Sequence, residues 1–239
     1  MTQTSSAPQG LPPFPLLALN LTSLIAIAKR CKPAWTAHSV KQYLVLIATK
    51  KSMSSYALLA SQASNVGRAT VFVSHAWSYR FHELVAALER WVKATKNSDG
   101  ELRDPDTTYC WVDLFSVNQH TSSTMPQEWW SRVFVEGIRA AGEVVLVMLS
   151  WRNAIPLTRV WCLWEIFHVT QAQVRFSVAM AQDAEDRLRD ALFSDPEAIN
   201  PSLWKVDCKS SQASKIEDKE MILGAIGDPG RGTLVTPLI

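Results

Sequence analysis

Val144-Val-Leu-Val-Met-Leu149 is apolar at every position and runs out at Ser150-Trp151. A run this short, rich in branched side chains, reads as a strand covered on both faces, and such strands belong to parallel sheets. Close behind it comes Pro156-Leu-Thr-Arg-Val-Trp-Cys-Leu-Trp-Glu-Ile-Phe-His168. There Val160, Leu163, Trp164 and Phe167 recur at i, i+3, i+4 and i+7, the spacing of a helix face turned to a core. Thr158 is placed to cap the first turn through its hydroxyl. Strand followed by amphipathic helix is the unit that repeats outward in both directions.

Upstream, Thr70-Val-Phe-Val-Ser74 and Tyr109-Cys-Trp-Val-Asp113 read as two more buried strands. Helical spacing follows the first at Phe81, Leu84, Val85, Leu88 and Val92. After the second comes a polar loop, Ser116-Val-Asn-Gln-His-Thr-Ser-Ser-Thr124, and then a helix carrying Trp130, Val133, Phe134, Gly137 and Ile138 that stops near Gly142. Downstream, Val174-Arg-Phe-Ser-Val-Ala-Met180 is a strand, 183–193 a helix, Leu203-Trp-Lys-Val-Asp-Cys208 a weaker strand and 217–226 a last helix. Strands alternating with helices over 70–226 predict an α/β domain, a parallel sheet with helices on both faces. Residues 14–69 read as a helical N-terminal extension, with helices over 16–28, from Ser39 to 48, and over 56–63, closing at Asn65-Val66-Gly67. The polar lead 1–13 reads as disordered and 227–239 as a loop-like tail.

The composition sets the class. The chain has 239 residues, 47% hydrophobic and 19% charged, which suits a globular domain with additional structure. A formal charge of +2 offers no bulk attraction to nucleic acid or to an anionic membrane. Residues 11–28 are the most membrane-like run, but Pro12, Pro13, Pro15 and Asn20 interrupt them and no basic residue precedes them. The chain therefore reads as soluble and cytoplasmic, and the sequon at Asn20-Leu21-Thr22 as chance. Cys31, Cys110, Cys162 and Cys208 form no C-x-x-C, and no histidine pair has ligand spacing, so no metal site is expected.

No Gly-x-Gly-x-x-Gly, Walker loop or Gly-x-Ser-x-Gly is present. Parallel sheets bind ligands beyond the carboxyl ends of their strands. Here those ends carry Ser74, His75, Asp113 and Trp151, and Glu165 follows the third. Each candidate has a plainer alternative. Glu165 is either a solvated helix glutamate or a ligand-facing carboxylate. Trp77 and Trp151 either stack on a flat ligand or pack loops. His75 and His82 are phosphate contacts or structural residues. Asp113 touches ligand or caps its loop. Arg80 and Arg152 suit a pyrophosphate or face solvent.

Phe-Val-Ser74, Leu-Ser150 and Trp161-Cys-Leu-Trp-Glu165, at these intervals, resemble the TIR domain family. The likeness covers about two thirds of the chain, 70–226, and departs from animal and plant members at Ser74-His-Ala-Trp77 and Asp113-Leu-Phe-Ser-Val-Asn-Gln-His120, as a divergent branch would. The resemblance implies a flavodoxin-like sheet of five parallel strands. It also implies one of two functions. Some members are adaptors that only scaffold signalling complexes. Others cleave the nicotinamide–ribose bond of NAD⁺ or NADP⁺ to nicotinamide and ADP-ribose, or a cyclised product, and are activated by homo-oligomeric TIR–TIR contacts. The dinucleotide is then substrate and no resident cofactor is needed. On the enzymatic reading Glu165 is the catalytic carboxylate, and Ser74, His75, Trp77, Asp113, Phe115, Trp151, Arg152 and Trp161 are the binding residues. A relative that modifies nucleosides on the same sheet is a third, weaker alternative.

Overall fold

The computed structural model describes residues 14–194, 211–213 and 216–226. Four strands form its parallel core: β3 (Val71–Ser74), β4 (Tyr109–Trp111), β5 (Glu143–Val147) and β6 (Arg175–Ala179). Their order is β4-β3-β5-β6, paired parallel throughout. Pleating sends alternate side chains to opposite faces. Val71, Val73, Val145 and Val147 join one core with α1 (Leu21–Arg30) and α5 (Phe81–Ala94). Phe72, Trp111 and Val144 join a second core with α7 (Gln127–Ala141) and α8 (Val160–Ala172). The helices thus cover both faces, as the apolar runs require. α7 stops at Gly142, whose φ of 70° suits a residue without a Cβ. Thr158 does not cap α8. It lies in a short 3-10 turn and bonds back to the Ile155 carbonyl, and Arg159 occupies the cap position.

The N-terminal third departs from the expected helical extension. Residues Leu17–Asn20 form β1 and Val66–Arg68 form β2, so the sheet has six strands in the order β2-β1-β4-β3-β5-β6 and is mixed. β1 is antiparallel to both neighbours, with Leu19 opposite Cys110 and Leu17 opposite Arg68. The expected sheet of five parallel strands is corrected accordingly. Leu17-Ala-Leu-Asn20 fits period 2 as well as period 3.6, and four residues cannot discriminate. The free edge of β4 decides, because an unpaired row of N–H and C=O groups takes a strand when one is available. Asn20 then ends the strand and caps α1, its side chain accepting from the Ser23 N–H at 3.0 Å. Gly67 is needed where it stands, since a Cβ there would meet the Tyr109 ring at 2.8 Å.

The other N-terminal helices are short: α2 (Ala37–Val40), α3 (Leu46–Ala48) and α4 (Tyr56–Leu59), with a π turn, Lys41–Val45, between the first two. They are tied to loops of the sheet. The Phe81 N–H donates to Trp35 O at 2.8 Å, Thr49 meets His120 at 2.8 Å and Asn118 donates to Met53 O at 2.7 Å. A one-turn helix, α6 (Asp113–Ser116), follows β4, and two further helices complete the described residues, α9 (Gln182–Ser194) and α10 (Ile216–Ile226). The expected strand over 203–208, the lead 1–13 and the tail 227–239 lie outside the described residues. No described helix is long and apolar enough to cross a membrane.

At the amino end of the parallel strands the buried Glu143 carboxylate accepts from Arg103 and from Arg175, each at 2.6 Å. Arg103 also lies 4.3 Å from the Trp91 ring. That network fixes the end of the sheet opposite the loops described next.

Because β1 pairs with β4, a fragment beginning at residue 70 exposes a whole strand edge and the apolar side chains Leu19, Leu21 and Leu24 leave the core. Such a fragment is expected to aggregate and to lose cooperative urea unfolding. A fragment that unfolds cooperatively at the midpoint of the full chain would overturn the integral role of the N-terminal layer.

Candidate functional site

At the carboxyl ends of β3 and β4 the chain encloses a cavity of about 620 Å³. This is where open parallel sheets place their ligands. The floor is Glu165 and Cys162 from α8. The walls are His75 and Trp77 from the loop after β3, Asp113 and Gln119 from the turn after β4, Trp130 and Phe134 from α7, and Trp161. α10 closes one side: Trp161 Nε1 donates to Asp218 at 3.1 Å, and Gln127 donates to the Glu217 carbonyl at 2.6 Å. Gln212 satisfies the first N–H of α8, accepting from Val160 at 3.0 Å.

Glu165 is 6% exposed, and its Oε2 finds no hydrogen-bond partner among the described residues. A buried carboxyl that lacks a donor is costly when ionised. Burial accordingly raises its pKa from the ordinary 4.5 to about 8, with Ser74 beside it pulling down and Asp113 pushing up. The Ser74 hydroxyl makes no bond of standard geometry, yet its proximity lowers the pKa of Glu165 and of Cys162 together. Cys162 is buried and un-ionised, and donates weakly to His75 O at 3.7 Å. Helix α8 is buried nearly all round, so Glu165 is not the solvated glutamate of an amphipathic face.

Asp113 tethers the groups on either side of it. Its Oδ2 accepts from Trp77 Nε1 at 2.9 Å and its Oδ1 from the Leu114 N–H at 2.7 Å. His75 Nε2 stands 3.9 Å from Asp113 Oδ1, beyond hydrogen-bond reach. Trp77 is held edge-on by that carboxylate, and its ring is met by His38 at 5.1 Å and by the Lys41 ammonium at 5.6 Å.

Of the residues singled out from the sequence, Glu165, His75, Trp77, Asp113 and Trp161 line the cavity and Ser74 stands behind Glu165. Phe115, Trp151 and Arg152 are not among its lining residues. Phe115 is 1% exposed and packs on Tyr56 and Phe81, because the turn of α6 points it inward. Trp151 is 2% exposed in a separate cluster with Met148, Met180 and Ala184, with Arg152 over its ring. Arg80 is exposed and pairs with Glu83, its neighbour one turn on. Lining residues not foreseen include His38, Lys41, Trp130, Arg159, Glu217 and Asp218. Trp130 had a signal, an indole at the start of a helix facing a polar loop. His38 and Lys41 had none, for they arrive from another part of the chain. Among the described residues no three His, Cys, Asp or Glu side chains are grouped to hold a metal ion. No known protein family, curated protein or solved structure matches the chain.

A carboxyl whose pKa is higher folded than unfolded binds its proton more tightly in the folded state. Its contribution is complete below about 4.5 and is lost as pH rises to about 8. Stability should fall across that window by up to about 1.4 kcal/mol per pH unit. Glu165→Gln, a neutral isostere, should flatten the slope and exceed the wild type in urea midpoint at pH 8, with little difference at pH 4.5. Parallel pH profiles for the two proteins would refute the burial of this acid.

Proposed function

We propose that the chain is a TIR-like NAD(P)⁺ glycohydrolase with Glu165 as its catalytic carboxylate. The observation that supports this most is a buried acid with one oxygen, Oε2, left without a hydrogen-bond partner among the described residues, on the floor of an indole-walled cavity at parallel strand ends. Acids kept in that condition are expensive and concentrate at functional sites. The Trp161-Cys-Leu-Trp-Glu165 motif, by which the chain resembles the family, lines this cavity through Trp161, Cys162 and Glu165.

The chemistry asks little more of the protein. Nicotinamide is bound to ribose as a cationic pyridinium and departs as a neutral base, so its exit needs no general acid. As the C–N bond breaks, positive charge develops on the ribose, and a carboxylate next to it stabilises that charge. Water then adds to the anomeric carbon and loses a proton, giving ADP-ribose. With its pKa raised to about 8 by burial, Glu165 holds its proton at neutral pH until a pyridinium beside it favours the ionised form. Trp77, Trp130 and Trp161 supply the flat apolar wall, and Asp113 holds Trp77 upright.

A second reading, a scaffold that only binds partners, is favoured by apolar side chains left exposed on the N-terminal layer: Tyr43, Ile47, Leu58 and Leu59. The two readings are compatible if self-association through such a surface activates the enzyme.

Incubation with NAD⁺ and with NADP⁺ should release nicotinamide, and Glu165→Ala should slow release at least about 100-fold. No release at high protein concentration, or undiminished release from the variant, would leave only the scaffold. If Glu165 acts as carboxylate, kcat/KM should rise with pH through about 8, the pKa of the free enzyme. A profile flat from pH 6 to 9 would contradict that role.

A further inference from the structure

The cavity carries cationic residues that hydrolysis at ribose does not use. Lys41 and Arg159 line it, with the His38 imidazole beside them. No carboxylate forms an ion pair with Lys41 or Arg159 among the described residues. Of the acids that line the cavity, Asp113 accepts from Trp77 and Leu114 through its two oxygens, Asp218 accepts from Trp161, Glu165 is buried with a raised pKa, and Glu217 stands with Asp218 on the α10 side. Lys41 and Arg159 act on one point, since after partial burial both push the His38 pKa below its ordinary value, against an opposing pull from Asp113, and that imidazole is neutral near pH 7. Unpaired cations gathered around one cavity gain free energy by accepting an anion.

The placement of Lys41 is itself unusual. It opens the π turn Lys41–Val45, a rare winding that is frequent at functional sites. The turn is held against the loop after β3, where Ala37 and His38 donate to the carbonyls of Tyr79 and Trp77 at 3.2 and 3.4 Å. Arg159 is held from the other side, its backbone bridged to Gln212 at the start of α8. Neither side chain makes a hydrogen bond that supports the fold among the described residues.

We infer that Lys41 and Arg159, with His38 beside them, form a phosphate-binding subsite at this cavity, suited to the diphosphate of a nucleotide. The inference rests on the reading of the cavity as a dinucleotide site and deepens it. Guanidinium meets phosphate oxygens in a bidentate way, and the ammonium adds a point charge. The cavity then offers carboxyls at Glu165 and Asp113 to a cationic pyridinium riboside and the cations Lys41 and Arg159 to the diphosphate, with Glu217 and Asp218 on the α10 side. Two of the three residues come from before position 70, so the N-terminal layer sets how the substrate is gripped.

The test is calorimetric titration of the full chain with ADP-ribose, inorganic pyrophosphate and adenosine. Wild type, Lys41→Ala, Arg159→Ala and the double variant are compared, together with Lys41→Arg, which keeps the charge. Circular dichroism and thermal melting check that each is folded. ADP-ribose and pyrophosphate are expected to bind at least about 10-fold more weakly to the double variant, with Lys41→Arg close to wild type and a strong salt dependence. Adenosine binding should be the same in all. Equal pyrophosphate affinities across folded variants, or no phosphate-dependent binding to wild type, would overturn the subsite. Absence of NAD⁺ cleavage with the titration as expected would sink the glycohydrolase and leave the subsite standing. Cleavage of NAD⁺ and of nicotinamide riboside at equal kcat/KM, unaltered in the double variant, would do the reverse.

Discussion

The exposed edge of β4 is the constraint on which the rest of the molecule turns. A central run of parallel strands leaves two edges, and a row of free backbone donors and acceptors cannot remain under apolar side chains. β1 meets that need on one side, running antiparallel to β4 with Leu19 opposite Cys110. Once β1 is seated, Asn20 caps α1, α1 packs beside α5, and the segment that follows is carried to the loop after β3. Trp35, Ala37 and His38 bond to that loop through backbone groups, and the next residues bring Lys41 over Trp77. A requirement for backbone hydrogen bonds at one sheet edge thereby ends as a wall of the cavity.

The second organising cost is Glu165. Its helix is buried nearly all round because it shares one core with α7 and the sheet and packs against α10, and the carboxyl at that position faces the cavity. Ser74 is its nearest relief, and Ser74 itself lacks a partner of good geometry. A fold indifferent to ligand would be steadier with glutamine there. On the proposed reading, the acid and the tethered Trp77 serve one use, the stabilisation of a cation that arrives with the substrate.

Strand ends and the turn chemistry explain why certain aromatic candidates went elsewhere. Trp151 and Phe115 both directly follow strand regions, where a ligand contact is reasonable. Direction decided otherwise. Helix α6 turns Phe115 back onto Tyr56 and Phe81, and the loop after β5 lays Trp151 against Met148 and Met180. Sequence spacing cannot express which way a side chain leaves a loop.

The sequence by itself determined the parallel core, the two-sided helical cover and the place of Glu165 behind a strand end. Those features follow from local periodicity: Val144–Val147 is apolar throughout, and Val160, Trp164 and Phe167 keep helical spacing, so few arrangements bury them. Only the tertiary structure decided that Leu17–Asn20 is a strand, since a four-residue run is settled by the partner it meets. It alone brought His38 and Lys41 beside Asp113 and Arg159, which lie far apart along the chain. The physical reason is the same in both cases. Pattern reports which face of an element is apolar, but hydrogen-bond pairing and charge proximity belong to groups brought together by the packing of the whole chain.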